Sequence, residues 1–257
     1  MMTTSKWVAE LQAAFMLLTR LPVGQFGSYV PSLAAARWAY PLVGLAIGSI
    51  TALIFILCHA LGVPVILAAL LATGISLICT GALHEDGLAD SADGLGGGQD
   101  KAQKLDIMKD SRIGSYGVLA LILFIGARIG ALSELQPGLH IMLSLISAAM
   151  ASRLVMVVYL EILPAAREEG LGKSASDSAS GTTRQGLLIA VLLTSPALFY
   201  LFIFAPAALV FGTVAAWLFA FIVKKQIGGQ TGDICGAGQL ISETTAFLCL
   251  ATAAAGI

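Results

Sequence analysis

The chain has 257 residues, 58% of them hydrophobic and only 11% charged, and its formal net charge is −1. A soluble globular domain carries about a quarter charged residues, so a mean hydropathy of +0.90 excludes that class and, with no basic excess, a nucleic-acid binder. The composition predicts an all-α, polytopic integral membrane protein, because helices satisfy their own backbone groups in lipid.

No basic region followed by a small-residue cleavage site opens the chain, so no signal peptide is expected. Trp7, Val8, Leu11, Ala14, Phe15 and Leu18 recur at helical spacing, with Lys6, Glu10 and Gln12 off that stripe. This predicts an amphipathic helix within an interfacial segment, residues 1–24. Apolar runs long enough to span follow at Leu33–Leu61, Val63–Leu83, Tyr116–Leu135, Leu139–Leu163, Gly186–Phe204, Pro206–Val223 and Ala237–Ala255. Short breaks at Gly62-Val63-Pro64, Pro137-Gly138 and Ala205-Pro206 alternate with polar stretches at 84–115, 164–185 and 224–236. One membrane domain of about seven spans, residues 1–257, is expected, with Lys173 to Thr183 as its nearest approach to a flexible linker. Gly44/Gly48 and Gly126/Gly130 are small-xxx-small pairs suited to close helix packing. They also suit a homo-oligomer within the surrounding lipid. Cys58, Cys79, Cys235 and Cys249 show no metal spacing and read as small core residues without disulfides.

Alternating the spans puts the three polar stretches on one side. Lys6, Arg20, Arg37, Lys101, Lys104, Lys109, Arg112, Arg167, Lys173, Arg184, Lys224 and Lys225 all fall on that side, and no basic residue falls in the opposite turns. The positive-inside rule then predicts that this side is cytoplasmic. The chemistry is expected there, on 84–115, 164–185 and 224–236.

The segment His84-Glu85-Asp86-Gly87-Leu88-Ala89-Asp90-Ser91-Ala92-Asp93-Gly94 directly follows an apolar span. Asp86, Asp90 and Asp93 are spaced i, i+4, i+7, so a helix projects them from one face. Crowded carboxylates repel one another and lose hydration unless a cation sits among them. Oxygen ligands of this kind suit Mg2+, or Mn2+ in its place. Asp86, Asp90 and Asp93 are therefore the expected metal ligands and catalytic residues, with His84 beside them as a base or ligand; solvated surface aspartates are the plainer alternative. Glu85 points away from the stripe by helical phase.

A second cluster, Ile107 to Gly117, holds Lys109 and Arg112, and a guanidinium can clamp phosphate bidentately. The alternative is a positive flank with a helix cap. A third, Lys224 to Ala237, holds Gly229, Thr231 and Asp233 in a glycine-rich loop before a helix, which presents backbone N–H groups to anions. It lacks the Gly-Lys-Ser/Thr ending of a Walker A loop. Asp233 reads as a metal- or hydroxyl-directing carboxylate, or as a cap of the last helix. Arg128 and Arg153 lie inside spans, so they should face a polar interior or an anionic ligand. Arg167-Glu168-Glu169-Gly170-Leu171-Gly172 also reads as a plain solvated loop, and His59 and His140 as incidental.

Taken together, these clusters resemble cobalamin synthase, the adenosylcobinamide-GDP ribazoletransferase family, over almost the whole chain. The resemblance is carried by Leu18-Thr19-Arg20-Leu21-Pro22-Val23, Pro41-Leu42-Val43-Gly44, Thr80 to Gly94, Ile107 to Gly117, Arg167 to Gly172 and Gly228 to Ala237. Glu85 departs from it, since family members generally have an apolar residue there. The resemblance implies an enzyme of the bacterial inner membrane with a cytoplasmic active site. Its substrates would be adenosylcobinamide-GDP and alpha-ribazole or its 5'-phosphate, and a hydroxyl would attack the corrinoid-side phosphorus and expel GMP. Such a transfer needs Mg2+, cations on the spreading charge and a base. Arg112, Lys109, Arg20, Arg153, Gly229, Thr231 and Asp233 form the candidate phosphate- and substrate-binding set.

Two rivals are weighed by sequence. A phospholipid-type CDP-alcohol phosphotransferase requires Arg after Asp-Gly-x-x-Ala, where this chain has Asp90. A divalent-cation transporter requires acidic groups at mid-membrane, and no span centre carries an Asp.

Overall fold

The computed structural model describes residues 5–27, 29–176 and 183–255, and every regular element among them is a helix. In chain order these are α1 (Lys6–Leu18), α2 (Leu33–Ala36), which runs through a 3-10 turn into α3 (Tyr40–Ala60), α4 (Val65–Thr80), α5 (Leu83–Gly97) and α6 (Lys101–Ile107). Then follow α7 (Ser115–Ser133), α8 (Leu139–Ile162), α9 (Leu171–Ser176), α10 (Thr183–Phe204), α11 (Pro206–Ile227) and α12 (Gly232–Ala255). Six segments, with α2 and α3 counted as one, are long and apolar enough to cross a membrane, and α4 with α5 brings the number to seven. The polytopic helical bundle read from composition is the fold.

The helix ends follow local chemistry. Gly62, at φ +80°, turns the chain between α3 and α4, and Pro206 opens α11 where its missing N–H has no partner to lose. The polar stretch 224–236 is mostly helical: α11 runs through Lys224 and Lys225 to Ile227, where two cations meet the negative end of its dipole, leaving only 228–231 as a loop. Within the expected linker, Leu171–Ser176 form α9, and 177–182 lie outside the described residues.

The least apolar span sits innermost. The α12 span has a mean hydropathy of 1.3 and is 78% buried, whereas the more apolar α7 and α10 spans are 22% buried. In lipid the outer face must be apolar, so polar side chains are confined to helices surrounded by other helices.

The amphipathic N-terminal segment is α1, and its buried side takes in Ala14 and Leu18 of the predicted stripe but not Trp7 and Val8. Ala9, Glu10, Ala13, Ala14 and Leu18 face the bundle, while Trp7 and Val8 are about half exposed. Small residues let α1 lie close, and buried Glu10 is satisfied by Trp38, whose Nε1–H donates to it at 2.8 Å. The two glycine pairs also part company. A Cβ at Gly44 or Gly48 would overlap α8 at Ala149, Met150 or Ile146, whereas Gly126 and Gly130 have open space around them.

Gly44→Leu should therefore destabilise the protein by about 1–3 kcal/mol through overpacking, and Gly126→Leu should change stability by no more than about 0.5 kcal/mol. Thermal unfolding in detergent measures both, and equal melting temperatures would deny the close α3–α8 contact.

Candidate active site

A sharp corner builds the site. Gly81 and Ala82 both adopt left-handed conformations, at φ +64° and +55°. Gly81 N–H donates to the Ile78 carbonyl and Ala82 N–H to Leu77, the Schellman pattern that ends a helix. Arg20 locks the corner: its N–H donates to the Cys79 carbonyl at 2.7 Å and its side chain covers Gly81. The chain leaves α4 bent by 88°. Helix α5 then runs across the loop-bearing ends of α12 and α7, from Gly236 beside His84 to Gly117 beside Asp93. Gly87 allows close approach, since a Cβ there would overlap the backbone of Asp233. Lys104 Nζ donates to the Leu95 and Gly98 carbonyls at the far end of α5.

Two loops close over α5. Residues 164–166 and 229–231 pair as a single parallel bridge, with Ala166 N–H donating to Gln230 O and Gln230 N–H to Pro164 O, both at 2.8 Å. Gly229 permits this, because any side chain there would strike the Pro164 carbonyl. Thr231 Oγ1 accepts the Ile234 N–H at the start of α12 and donates to Asp233. Arg167 reaches over the joint, donating to the Leu105 carbonyl at 2.9 Å and pairing with Asp233 at 3.6 Å. Beneath lies a cavity of about 210 Å3. Asp86, Arg167, Lys173, Thr231 and Asp233 are among its polar lining, and Leu18, Tyr40, Leu83, Met156 and Leu160 among its apolar lining.

The aspartates are on one helix but do not share one environment. Asp86 is exposed, Asp90 half-buried and Asp93 buried. Asp93, expected beside Asp86 and Asp90 as a metal ligand, has both carboxylate oxygens engaged by backbone. Its oxygens accept the Gly114 and Gly117 N–H groups at 2.7 and 2.9 Å, so it caps α7. Glycine is needed at both positions, since a Cβ at either would overlap the Asp93 carboxylate. Burial, together with Asp86, Asp233 and Asp93, pushes the Asp90 carboxyl up to about 6, and Arg167 opposes the shift. Among the described residues no three His, Cys, Asp or Glu side chains converge tightly enough to enclose an ion unaided. Mg2+ does not require that, because it keeps several waters and binds through one or two carboxylates plus substrate phosphates. Asp86 and Asp90, with Asp233 across from them, are a donor set of that chemistry.

The cations fall differently from the sequence reading. Arg112 is exposed and its guanidinium is engaged by Asp110 at 2.6–3.1 Å, which holds the Asp110 carboxyl down to about 2. Lys109 is exposed on the same loop. Arg20, also expected to bind substrate, packs against Gly81 at the corner. Arg153, expected in the phosphate-binding set, is buried between helices, 3.3 Å from Glu243 and 3.0 Å from the Ala149 carbonyl. The cations that line the cavity are Arg167 and Lys173. The sequence signal for Arg167 was there, a lone Arg in a glycine-bearing loop, but nothing local tied it to Asp233, 66 residues away by number.

His84 is not among the aspartates either. It is buried, is among the residues around the cavity, and its Nε2, closed off from solvent and cavity alike, has no hydrogen-bond partner. Glu85 points inward, as its phase predicts, toward the charges of Arg128, Glu243 and Arg153. Glu243 was overlooked, because the test for mid-membrane acids considered only Asp. It bridges Arg128 at 3.6 Å and Arg153 at 3.3 Å, and Gln239 donates to it. Arg128 also donates to Ser76 and lies over the Phe247 ring.

The family model described as Cobalamin-5-phosphate synthase matches residues 10–251. A relative from Bradyrhizobium diazoefficiens, named adenosylcobinamide-GDP ribazoletransferase, is 40% identical over 94% of this chain and 92% of its own. One of the same name from Mesorhizobium japonicum is 41% identical over 93% and 91%, and another from Allorhizobium ampelinum 38% over 98% and 100%. No solved structure matches.

The division among the aspartates is measurable. Asp93→Ala should lower stability by about 0.5–2 kcal/mol, the loss of a helix cap. Asp90→Asn in metal-free buffer should raise the melting temperature at pH 7.5 and leave it unchanged near pH 4. The sign follows from linkage: a carboxyl raised in the folded state contributes stability present below the unfolded value, about 3.9, and lost as pH rises through about 6. Asn removes that loss. A destabilising Asp90→Asn at pH 7.5 would contradict the crowding.

Proposed function

The chain belongs to the cobalamin-5-phosphate synthase family, and from that premise we propose that it joins adenosylcobinamide-GDP to alpha-ribazole or its 5'-phosphate with release of GMP. The observation that carries this reading is the meeting of Asp86 and Asp233 with Arg167 around one cavity, with Asp90 near enough to feel the charges of all three. The attack is by a hydroxyl of the nucleoside on the corrinoid-side phosphorus; a P–O bond forms there, the anhydride P–O bond breaks, and GMP carries away the electron pair. Mg2+ or Mn2+, held by Asp86 and Asp90, would neutralise the phosphate oxygens. Arg167, fixed by Leu105 and Asp233, supplies a planar cation to the charge spreading over the phosphoryl group. Gly232 exposes backbone at the positive end of α12, where an anion is favoured. Asp233, oriented by Thr231, is the carboxylate we assign to receive the hydroxyl proton.

We place this site at the cytoplasmic side of a bacterial inner membrane, since the polar loops carry the basic residues. The surrounding helices then take membrane lipid as their solvent.

Purified protein should release GMP from adenosylcobinamide-GDP only when alpha-ribazole or its phosphate is supplied. EDTA should stop the reaction and Mg2+ restore it; full turnover without metal would remove the metal from the mechanism. Arg167→Lys should lower kcat/KM at least about tenfold, equivalent to about 1.4 kcal/mol, because ammonium cannot reproduce the fork. Arg112→Lys should change it less than threefold, since Arg112 is already held by Asp110; the reverse order would return the phosphate role to Arg112. For topology, a reporter fused after Gly138 should read periplasmic and one after Lys173 cytoplasmic, and a cytoplasmic signal at Gly138 would invert the arrangement.

A further inference from the structure

A second cavity shares no lining residue with the first and lies between α8, α10, α11 and α12. It runs from Ala148 to Ile162 along α8 and from Ala208 to Ala220 along α11, with Leu198 among its α10 lining. All four helices are long and apolar enough to cross a membrane. Ala208 and Ala216 are buried, whereas Ile162 and Trp217 are more than half exposed, so the groove opens from between the helices onto the outer surface of the bundle. Its polar side chains are few and partly spent. The Tyr159 hydroxyl donates to the Ala216 carbonyl and Thr213 to the Leu209 carbonyl, which leaves Ser242 and the Trp217 indole. A buried water needs about two to four polar partners, and an empty space forfeits the contacts of every atom facing it. Hydrocarbon suits such a lining best. At about 440 Å3, and ~30 Å3 for each water-sized group, the groove has room for about fifteen methylenes: one acyl chain and not two. From Ala148 to Ile162 it covers ~21 Å at ~1.5 Å per residue, enough for a chain that crosses the ~15 Å of one leaflet in a ~30 Å hydrocarbon core.

We propose that this groove binds one acyl chain of an anionic membrane phospholipid, whose headgroup phosphate pairs with Lys224. Thr213, Trp217 and Ala220 recur at i, i+4 and i+7 along α11, and Lys224 follows four residues later. One helix face therefore carries the groove lining and then an ammonium. Lys224 is exposed, Lys225 adjoins it, and among the described residues neither makes an ion pair. Ile162 and Ala220 mark the same end of the groove, because α8 and α11 both run toward the polar loops. Glu161, next to Ile162, does not compete for Lys224, since Arg37 already holds it at 3.0 Å. The headgroup thus sits at the loop-bearing end and the chain extends toward Ala148. Position gives the lipid a consequence. The groove is lined by α8 and α12, the helices whose ends carry the Arg167 loop and Asp233. A chain packed along both fills a space that would otherwise let them shift, and binding to the folded state alone stabilises it.

The test uses the full-length protein in phosphatidylcholine nanodiscs doped with phosphatidylglycerol that carries a diazirine in one acyl chain. After irradiation, Val155, Val158 or Trp217 should be labelled at least about fivefold more than Leu119, Ile122 and Leu123, which α7 exposes outside any such groove. Val158→Trp, which fills the groove, should bring that label down to the α7 level. The phosphatidylglycerol probe should label the groove at least about threefold better than a phosphatidylcholine probe with the same chain, and Lys224→Glu should abolish the preference. In detergent, added phosphatidylglycerol should raise the melting temperature of the wild type and leave that of Val158→Trp unchanged. Equal labelling of the groove and of α7 means surrounding lipid only and overturns the site, as does an equal rise in both melting temperatures. Groove labelling without headgroup preference overturns the pairing with Lys224. A label at the α7 level, with a photocrosslinker in place of Trp217 joining two chains, gives the groove to a second copy and also overturns the proposal. If Val158→Trp does not insert, the labelling ratio in the wild type decides alone.

Discussion

The carboxylate of Glu243, held between Arg128 and Arg153, is the interaction on which the rest of the bundle depends. It lies eleven residues into α12, about 16 Å along the helix axis at ~1.5 Å per residue, within a helix long and apolar enough to cross a membrane. Two guanidinium groups at that depth are untenable alone, and removing one partner of a buried pair typically costs about 3–5 kcal/mol. Arg128 comes from α7, Arg153 from α8 and Glu243 from α12, and Glu85 brings in the start of α5. Four helices are thereby held in one register by charges that have no second place to go. Ser152, Gln239 and Ser76 take up much of the remaining hydrogen-bonding capacity.

That register is what places the candidate site. Helix α5 begins in the charge cluster with His84 and Glu85 and ends against Gly114 and Gly117, so its exposed side carries Asp86 and Asp90 to the start of α12. The corner at Gly81 and Ala82 makes this geometry possible, because a straight continuation of α4 would carry the aspartates away from the other helix ends. The loop bridge between 164–166 and 229–231 then fixes Arg167 and Asp233 on the opposite side. Each group of the site is held from behind by backbone or by another helix.

Much of this was legible in the sequence. The spans at Leu139–Leu163 and Pro206–Val223 are apolar over their length and bounded by glycine or proline, so composition alone places them within a few residues. The aspartate helix was legible for the same reason, since i, i+4, i+7 spacing has one geometric meaning. What periodicity cannot report is the partner. Asp93 has the phase of a metal ligand, yet the N–H groups that it meets belong to residues more than twenty positions away. Arg153 reads as an anion-binding group until Glu243 is brought beside it, and Arg167 reads as a loop charge until the bridge turns it over Asp233. On α1 the apolar stripe was visible, but close packing in lipid favours the alanine side over the tryptophan side.

The mid-membrane charges also bear on transport. A carboxylate deep in a span is an ordinary mark of an ion path, and Glu243 fits that description by depth alone. A conducting site, however, must be free to bind and release its ion. Glu243 faces two fixed guanidinium groups and a donating amide, with Phe247 against Arg128. A cation arriving there would have to displace Arg128 and Arg153 and leave both buried without a counter-charge. The acidic groups that are free to meet a cation, Asp86 and Asp90, lie instead at the polar ends of the helices. The interior charges therefore tie the helices together, whereas Asp86, exposed, and Asp90, half-buried, are the carboxylates of α5 left open to water.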